Sequence, residues 1–215
     1  QVVKLHVMGA SLTCEAPTLE RCQTLEKSLN VCGILESNYL DTARGLCSRA
    51  LGLDFDMTLT ASPVDDSHDS SWMPTVFGGQ HRIDLLNLFL SAVKRSGGCI
   101  LVVSWSSKDL ISMGLDSVGL RGLIDEIFDR EALDKKGVAD RGKAYVMQEV
   151  LTRLGLDGNR AVFVDSSKEQ LQKMPCTKHL VEGKCGMMQK DMGAVLNHLR
   201  VPVPWPSEYT SHGIR

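Results

Sequence analysis

Apolar runs that stop at small or polar residues recur along the chain, and each predicts a buried strand. Ala50, Leu51 and Leu53 lead into Asp54 and Asp56, and Thr58, Thr60, Ser62 and Pro63 follow at once. Cys99-Ile100-Leu101-Val102-Val103 is continuous and rich in β-branched residues, as a central parallel strand buried on both faces would be. It ends in Ser104-Trp105-Ser106-Ser107. Leu123 to Phe128 is apolar at alternate places and suggests a third strand or its lead-in. Ala161-Val162-Phe163-Val164 ends at Asp165-Ser166-Ser167, and Lys178 to Val181 reads as a last short strand.

Helical spacing fills the intervals. From near His81, Ile83, Leu86, Leu90 and Val93 lie on one face, Leu85, Leu88 and Phe89 widen it, and Gly97-Gly98 closes the run. Lys108 to Met113 begins a helix for which Ser106 or Ser107 is a natural N-cap, and residues 114–122 read as a connection. Asp134-Lys135-Lys136-Gly137 reads as a turn. Further helices are expected from Gly142 to Gly155, from Lys168 to Met174 and from Asp191 to Leu199; Lys143 falls in the first turn of the first of these. Strands alternating with helices predict a three-layer α/β/α sandwich with a central, mainly parallel, doubly wound sheet over residues 49–200.

Two flanking regions read differently. Val2 to Val7 alternates and fits either a strand or a disordered lead. From Pro17 onward Leu19, Cys22, Leu25, Leu29 and Cys32 recur at three- and four-residue steps, so residues 1–48 are expected to be a helical extension. Gln1 opens the chain mid-pattern. Pro202, Pro204 and Pro206 bar a helix from residues 201–215, which are expected to lie extended on the surface. Asp65 to Trp72 is polar and reads as a surface loop over the end of the first strand. No internal repeat occurs.

Composition narrows the function. The 215 residues suffice for one domain with a sizeable core, 43% are hydrophobic and 23% are charged. The formal net charge is −2 and no long basic run occurs, which argues against a nucleic-acid partner. No apolar run approaches the roughly 18 residues of a membrane span. The 7 cysteines are scattered, with no Cys-x-x-Cys pair, as reduced buried thiols of an intracellular, cytoplasmic protein would be.

The candidate chemistry sits at the strand ends. In an open α/β sheet, ligands bind just beyond the carboxyl ends of the strands. Two carboxylates placed there, Asp54 and Asp56, are costly to leave unpaired, so a cation is expected between them, most simply a metal ion. Ser104, and Asp165 with Ser166, stand at the ends of two other strands, and parallel strands bring all of these to one edge.

Asp54-Phe55-Asp56-Met57-Thr58 resembles the first motif of the haloacid dehalogenase superfamily, in the Asp-x-Asp-x-Thr form of its phosphatases. The order that follows, a Ser at a strand end, a Lys at a helix start and an acidic strand end, matches the remaining motifs over about residues 49–175. That resemblance implies Mg²⁺-dependent phosphomonoester hydrolysis through an aspartyl-phosphate. It makes Asp54 the nucleophile and Asp56 the general acid and base. Ser104 is then a donor to the phosphoryl group, and Lys143 a neutraliser of its charge. The metal ligands implied are Asp54, Asp56 through its backbone carbonyl, Asp165 and Ser166.

The fourth motif departs from the family's pattern. Many relatives carry two adjacent acids, or an acid and an amide, where this chain has Asp165 then Ser166. Ser166 is a poor ligand, and Glu169 is the nearby substitute. Neither the gap of residues 60–80 nor that of residues 107–143 leaves room for a cap domain, so the chain resembles the capless members. An open site admits a phosphoprotein. A small phosphorylated metabolite is the alternative substrate, and a catalytically weak binding module is the alternative function.

Overall fold

A computed structural model describes residues 3–7, 10–14, 47–64, 70–135 and 142–205. The chain divides into two compact units, Gln1–Ala43 and Arg44–Arg215. In the first, strands β1 (Val3–Val7) and β2 (Ala10–Cys14) pair antiparallel, with Val7 opposite Ala10. The alternating run at the start of the chain is thus a strand, and its partner over Ala10–Cys14 was not expected. The helices expected over residues 17–45 lie outside the described residues, as does the polar stretch 65–69.

The second unit holds five parallel strands: β3 (Arg49–Leu53), β4 (Gly98–Val103), β5 (Glu126–Phe128), β6 (Ala161–Asp165) and β7 (Thr177–Leu180). Their order across the sheet is β5-β4-β3-β6-β7, so the strand carrying the aspartate pair is central. The sheet is clad on both sides by α1 (Met73–Val76), α2 (Gln80–Arg95), α3 (Lys108–Ser117), α4 (Arg130–Lys135), α5 (Gly142–Leu154), α6 (Lys168–Gln172) and α7 (Gln189–His198).

Strand alternation sorts the core into two halves. Leu51, Leu53, Ile100, Val102, Val162 and Val164 pack with residues of α2, α3 and α7. Ala50, Cys99, Leu101, Val103, Ala161 and Phe163 pack with residues of α4, α5 and α6. That is the three-layer α/β/α sandwich. Gly52 lets two elements approach: a Cβ there would stand 2.4 Å from Phe163 and 2.8 Å from Met147. Among the described residues no additional domain interrupts the alternation, and no helix is long and apolar enough to cross a membrane.

Three expectations need correction. Helix α3 runs through Gly114 to Ser117, where a connection was expected. Gly114 does not break it, because its missing side chain makes room for Phe55, whose Cζ would lie 2.9 Å from a Cβ. Asp134 and Lys135 belong to α4 rather than to a turn. The tail is irregular over residues 201–204, with Pro202 and Val203 on the surface as expected, but two of its described residues turn inward. Val201 and Trp205 are only 4% and 7% exposed and join the core beside α7, because burial of an aromatic of this size outweighs the extended backbone.

Four of the cysteines fall among the residues whose side chains are described, Cys99 and Cys176 buried and Cys185 exposed. Cys47, Cys99, Cys176 and Cys185 are free. Burial pushes the Cys176 thiol up to about 12 and raises that of Cys99 further still.

Candidate active site

The register of the sheet assembles the site. Leu53 pairs with Val102 on one side and Val164 on the other, so Asp54 comes level with Asp165 as both strands end. The Asp54 amide donates to Val164 O at 2.9 Å. Ser104 ends the neighbouring strand, with its amide bonded to Phe128 O at 2.9 Å.

Lys143 reaches this edge from the first turn of α5. Its Nζ donates to Asp54 Oδ1 at 2.7 Å and to Asp165 Oδ2 at 2.8 Å. All three side chains are buried. The ammonium stands 6.0 Å from the Phe163 ring centre, on the ring that Gly52 admits. The second Asp165 oxygen accepts the Ser167 amide at 2.7 Å. Two buried carboxylates therefore share one ammonium. Burial raises the Asp54 carboxyl to about 6, against the pull of the Lys143 ammonium and with a further push from the Asp165 charge.

Asp56 lies on a tight turn. Residues 55–59 curl so that the Thr60 amide closes on Phe55 O at 3.0 Å, with Asp56 (φ −68°, ψ 131°) and Met57 (φ 58°, ψ 12°) outside helical geometry. A left-handed methionine is uncommon and must be held. Thr60 holds it: its Oγ1 accepts the Met57 amide at 3.0 Å and donates to Phe55 O at 3.3 Å. The Asp56 carboxylate is itself gripped from two sides. Its Oδ1 accepts the Val64 amide at 2.9 Å, and its Oδ2 accepts the Ser106 hydroxyl.

The back of the turn is clamped by Arg82. This buried guanidinium donates to Leu59 O at 2.7 Å, Phe77 O at 2.8 Å, Thr58 O at 3.0 Å and Met187 O at 3.2 Å. Its acceptors are all main-chain carbonyls, and burial lowers it to about 10, so it stays charged at neutral pH. The 186–187 segment closes over the same turn. Met187 N donates to Thr58 O at 2.9 Å, and a Cβ on Gly186 would meet Thr60 O at 2.2 Å.

The structure thus brings together Asp54, Lys143 and Asp165, and links Asp56 to Ser104 through Ser106. Ser166 follows Asp165 at the strand end, half-buried, and Glu169 is exposed in α6. Sequence reasoning missed Ser106, read only as a possible helix cap, whereas Ser107 caps α3 by accepting Leu110 N at 3.4 Å. It also missed Arg82. The signal was present: Arg82 interrupts the apolar stripe of α2 one turn ahead of Leu85 and Leu86.

The donor set suits Mg²⁺, which is usually held by one or two carboxylates with water and substrate completing its shell. Asp54 and Asp165 bear two negative charges against one ammonium, leaving a buried charge for a cation to offset. Among the described residues no three of His, Cys, Asp and Glu gather into a metal-ligating group. At the same edge a cleft of about 520 Å³ opens between the starts of α3 and α4, lined in part by Ser107, Lys108, Asp129 and Arg130.

No family model matches the chain, and no curated protein matches it. Solved structures similar to it include an uncharacterized protein from Corynebacterium glutamicum, at 15% identity and TM-score 0.47, over 72% of this chain and 97% of that one. Another is 3-deoxy-D-manno-octulosonate 8-phosphate phosphatase from Moraxella catarrhalis, at 13% and 0.45, over 77% and 94%; that structure holds magnesium and phosphate. A third is a haloacid dehalogenase-like family hydrolase from Streptococcus pneumoniae, at 13% and 0.38, over 70% and 90%. At this level of similarity the chemistry rests on the chain's own residues. In its alternating strands and in the order of its polar strand ends, the second unit resembles the haloacid dehalogenase superfamily.

Proposed function

We propose that this domain hydrolyses phosphomonoesters, with Asp54 as the nucleophile. One observation carries the reading: a buried ammonium, Lys143, held 2.7 Å from Asp54 and 2.8 Å from Asp165 at the carboxyl edge of the sheet, with a further carboxylate, Asp56, two residues on. A purely structural ion pair needs only one acid. Two acids and a lysine around one strand end suit a group that arrives negatively charged and must be attacked by a carboxylate.

The residues divide the work. A carboxylate oxygen of Asp54 attacks phosphorus, the bond from phosphorus to the leaving oxygen breaks, and Asp56 gives its proton to that oxygen. A water then attacks the phosphorus of the aspartyl-phosphate and passes a proton to Asp56. The bond to Asp54 breaks, inorganic phosphate leaves and both carboxyls are restored. Ser104 keeps its hydroxyl hydrogen for a phosphoryl oxygen, since its Oγ already accepts the Ser106 amide at 3.3 Å. Lys143 balances charge on the nucleophile and the transferring group.

Asp54, Asp165 and the Asp56 carbonyl would hold Mg²⁺, with Ser166 bound directly or through water. When bound it offsets the repulsion between carboxylate and phosphate. A phosphoprotein is the substrate class proposed, because no cap domain stands among the described residues.

The test is release of phosphate from an aryl phosphate, with and without Mg²⁺, by wild type and Asp54→Asn. Magnesium-dependent turnover that falls to background in the variant supports the reading; retained turnover sinks the nucleophile assignment. A panel of phosphopeptides and small phosphorylated metabolites then separates the substrate classes. Ser166, standing where a second acid would complete the metal site, favours a second reading as a phosphate-binding module. That reading predicts phosphate binding by calorimetry without turnover of any substrate.

A further inference from the structure

We propose that Ser106 is a positioning residue that holds the proton donor Asp56 and the phosphate donor Ser104 in one register, an inference that rests on the phosphatase reading above. A serine just ahead of α3 is expected to cap the helix, but Ser107 fills that role, and the Ser106 hydroxyl turns elsewhere. It donates to Asp56 Oδ2, across 50 residues of sequence, while its amide donates to Ser104 Oγ at 3.3 Å. One residue thus touches both groups.

Ser106 is itself fixed. It is 9% exposed, and its carbonyl accepts the Arg130 amide at 3.2 Å. Arg130 Nε also donates to Trp105 O at 2.8 Å, so the start of α4 pins the segment after β4. The Val64 amide, 2.9 Å from Asp56 Oδ1, is the second grip on the same carboxylate. Each carboxylate oxygen has a further lone pair, so Asp56 can carry its proton while both donors hold it. The turn bearing Asp56 contains a left-handed residue, and proton transfer tolerates displacements well under 1 Å.

The consequence is a dependence on leaving group. An alkyl alcohol must be protonated as it leaves, whereas nitrophenolate leaves unprotonated. Ser106→Ala should therefore lower kcat/KM about 10- to 100-fold on a phosphoserine peptide and less than about 3-fold on p-nitrophenyl phosphate. Ser106→Thr, which keeps the hydroxyl, should restore the ratio of the two values, and Ser106→Val should behave as alanine does. Asp56→Asn is the reference and should collapse the same ratio further. If Ser106→Ala does not fold, Ser106→Cys makes the same comparison with a weaker donor. Equal losses on both substrates, an unchanged ratio, or a threonine variant that fails to restore it would overturn the proposal while leaving the phosphatase reading intact. A wild type inactive on both substrates, or Asp56→Asn with an unchanged ratio, would overturn the reading and this proposal together.

Discussion

Two buried cations flank the turn after β3, and they are partnered in opposite ways. Lys143, in front, meets two carboxylates at 2.7 and 2.8 Å. Arg82, behind, meets four main-chain carbonyls between 2.7 and 3.2 Å. An ammonium between two acids leaves a net negative charge that a metal ion can offset. A guanidinium ringed by neutral carbonyls has used most of its five donors on geometry. Under the proposed function the first arrangement serves the chemistry, while the second fixes the turn that carries Asp56.

The sharpest way to break this contrast is to remove each charge with a side chain of similar bulk. Lys143→Met should cut kcat on an aryl phosphate at least roughly 10³-fold, a loss comparable to or larger than that of a preorganised donor in other sites. Steady-state kinetics on folded protein, verified by circular dichroism, measures it; a loss below about tenfold would remove Lys143 from the site.

Arg82→Met should act on stability instead. It removes a donor from four carbonyls, of which Thr58 O keeps the Met187 amide, and should lower the unfolding free energy by about 3–5 kcal/mol in urea denaturation. Arg82→Lys should recover less than half of that, since an ammonium cannot span the guanidinium's four acceptors. If the lysine variant matched wild type, charge alone would explain the site and the clamp would be misread.

The smallest effect concerns a third charged contact. Asp191 is buried, bonded to the Met188 amide at 2.9 Å and to His179 at 3.2 Å, and so ties α7 to β7. Burial opposes its ionisation, yet the His179 and Met188 hydrogen bonds leave its carboxyl below the usual value. A depressed acid stabilises the fold above its unfolded value near pH 4, and the contribution disappears as pH falls through the lower folded value. Asp191→Asn should therefore cost about 1 kcal/mol at pH 7 and less at pH 3, measured as the difference in unfolding free energy at the two values.

What was legible in the sequence was whatever short-range pattern dictates. Apolar runs gave β3, β4 and β6, and the polar residues that stop them gave Asp54, Ser104 and Asp165. Lys143 was legible as a cation at a helix start. What was not legible depends on distant partners. Arg82 binds carbonyls 24 and 105 residues away, and Ser106 binds a carboxylate 50 residues away. Gly114 looked like a helix stop because the aromatic it accommodates, Phe55, belongs to another element. Trp205 looked exposed because proline fixes its backbone, while its side chain finds the core beside α7.

Because Arg82 grips only main-chain oxygens, it does not read the identities of residues 58, 59, 77 and 187. Side chains at those places can be exchanged without loosening the grip, provided they pack. The same rigid turn can therefore carry varied sequence around a constant Asp54 and Asp56. A library that varies these positions while keeping Arg82 would explore new surroundings for the site on an unchanged frame.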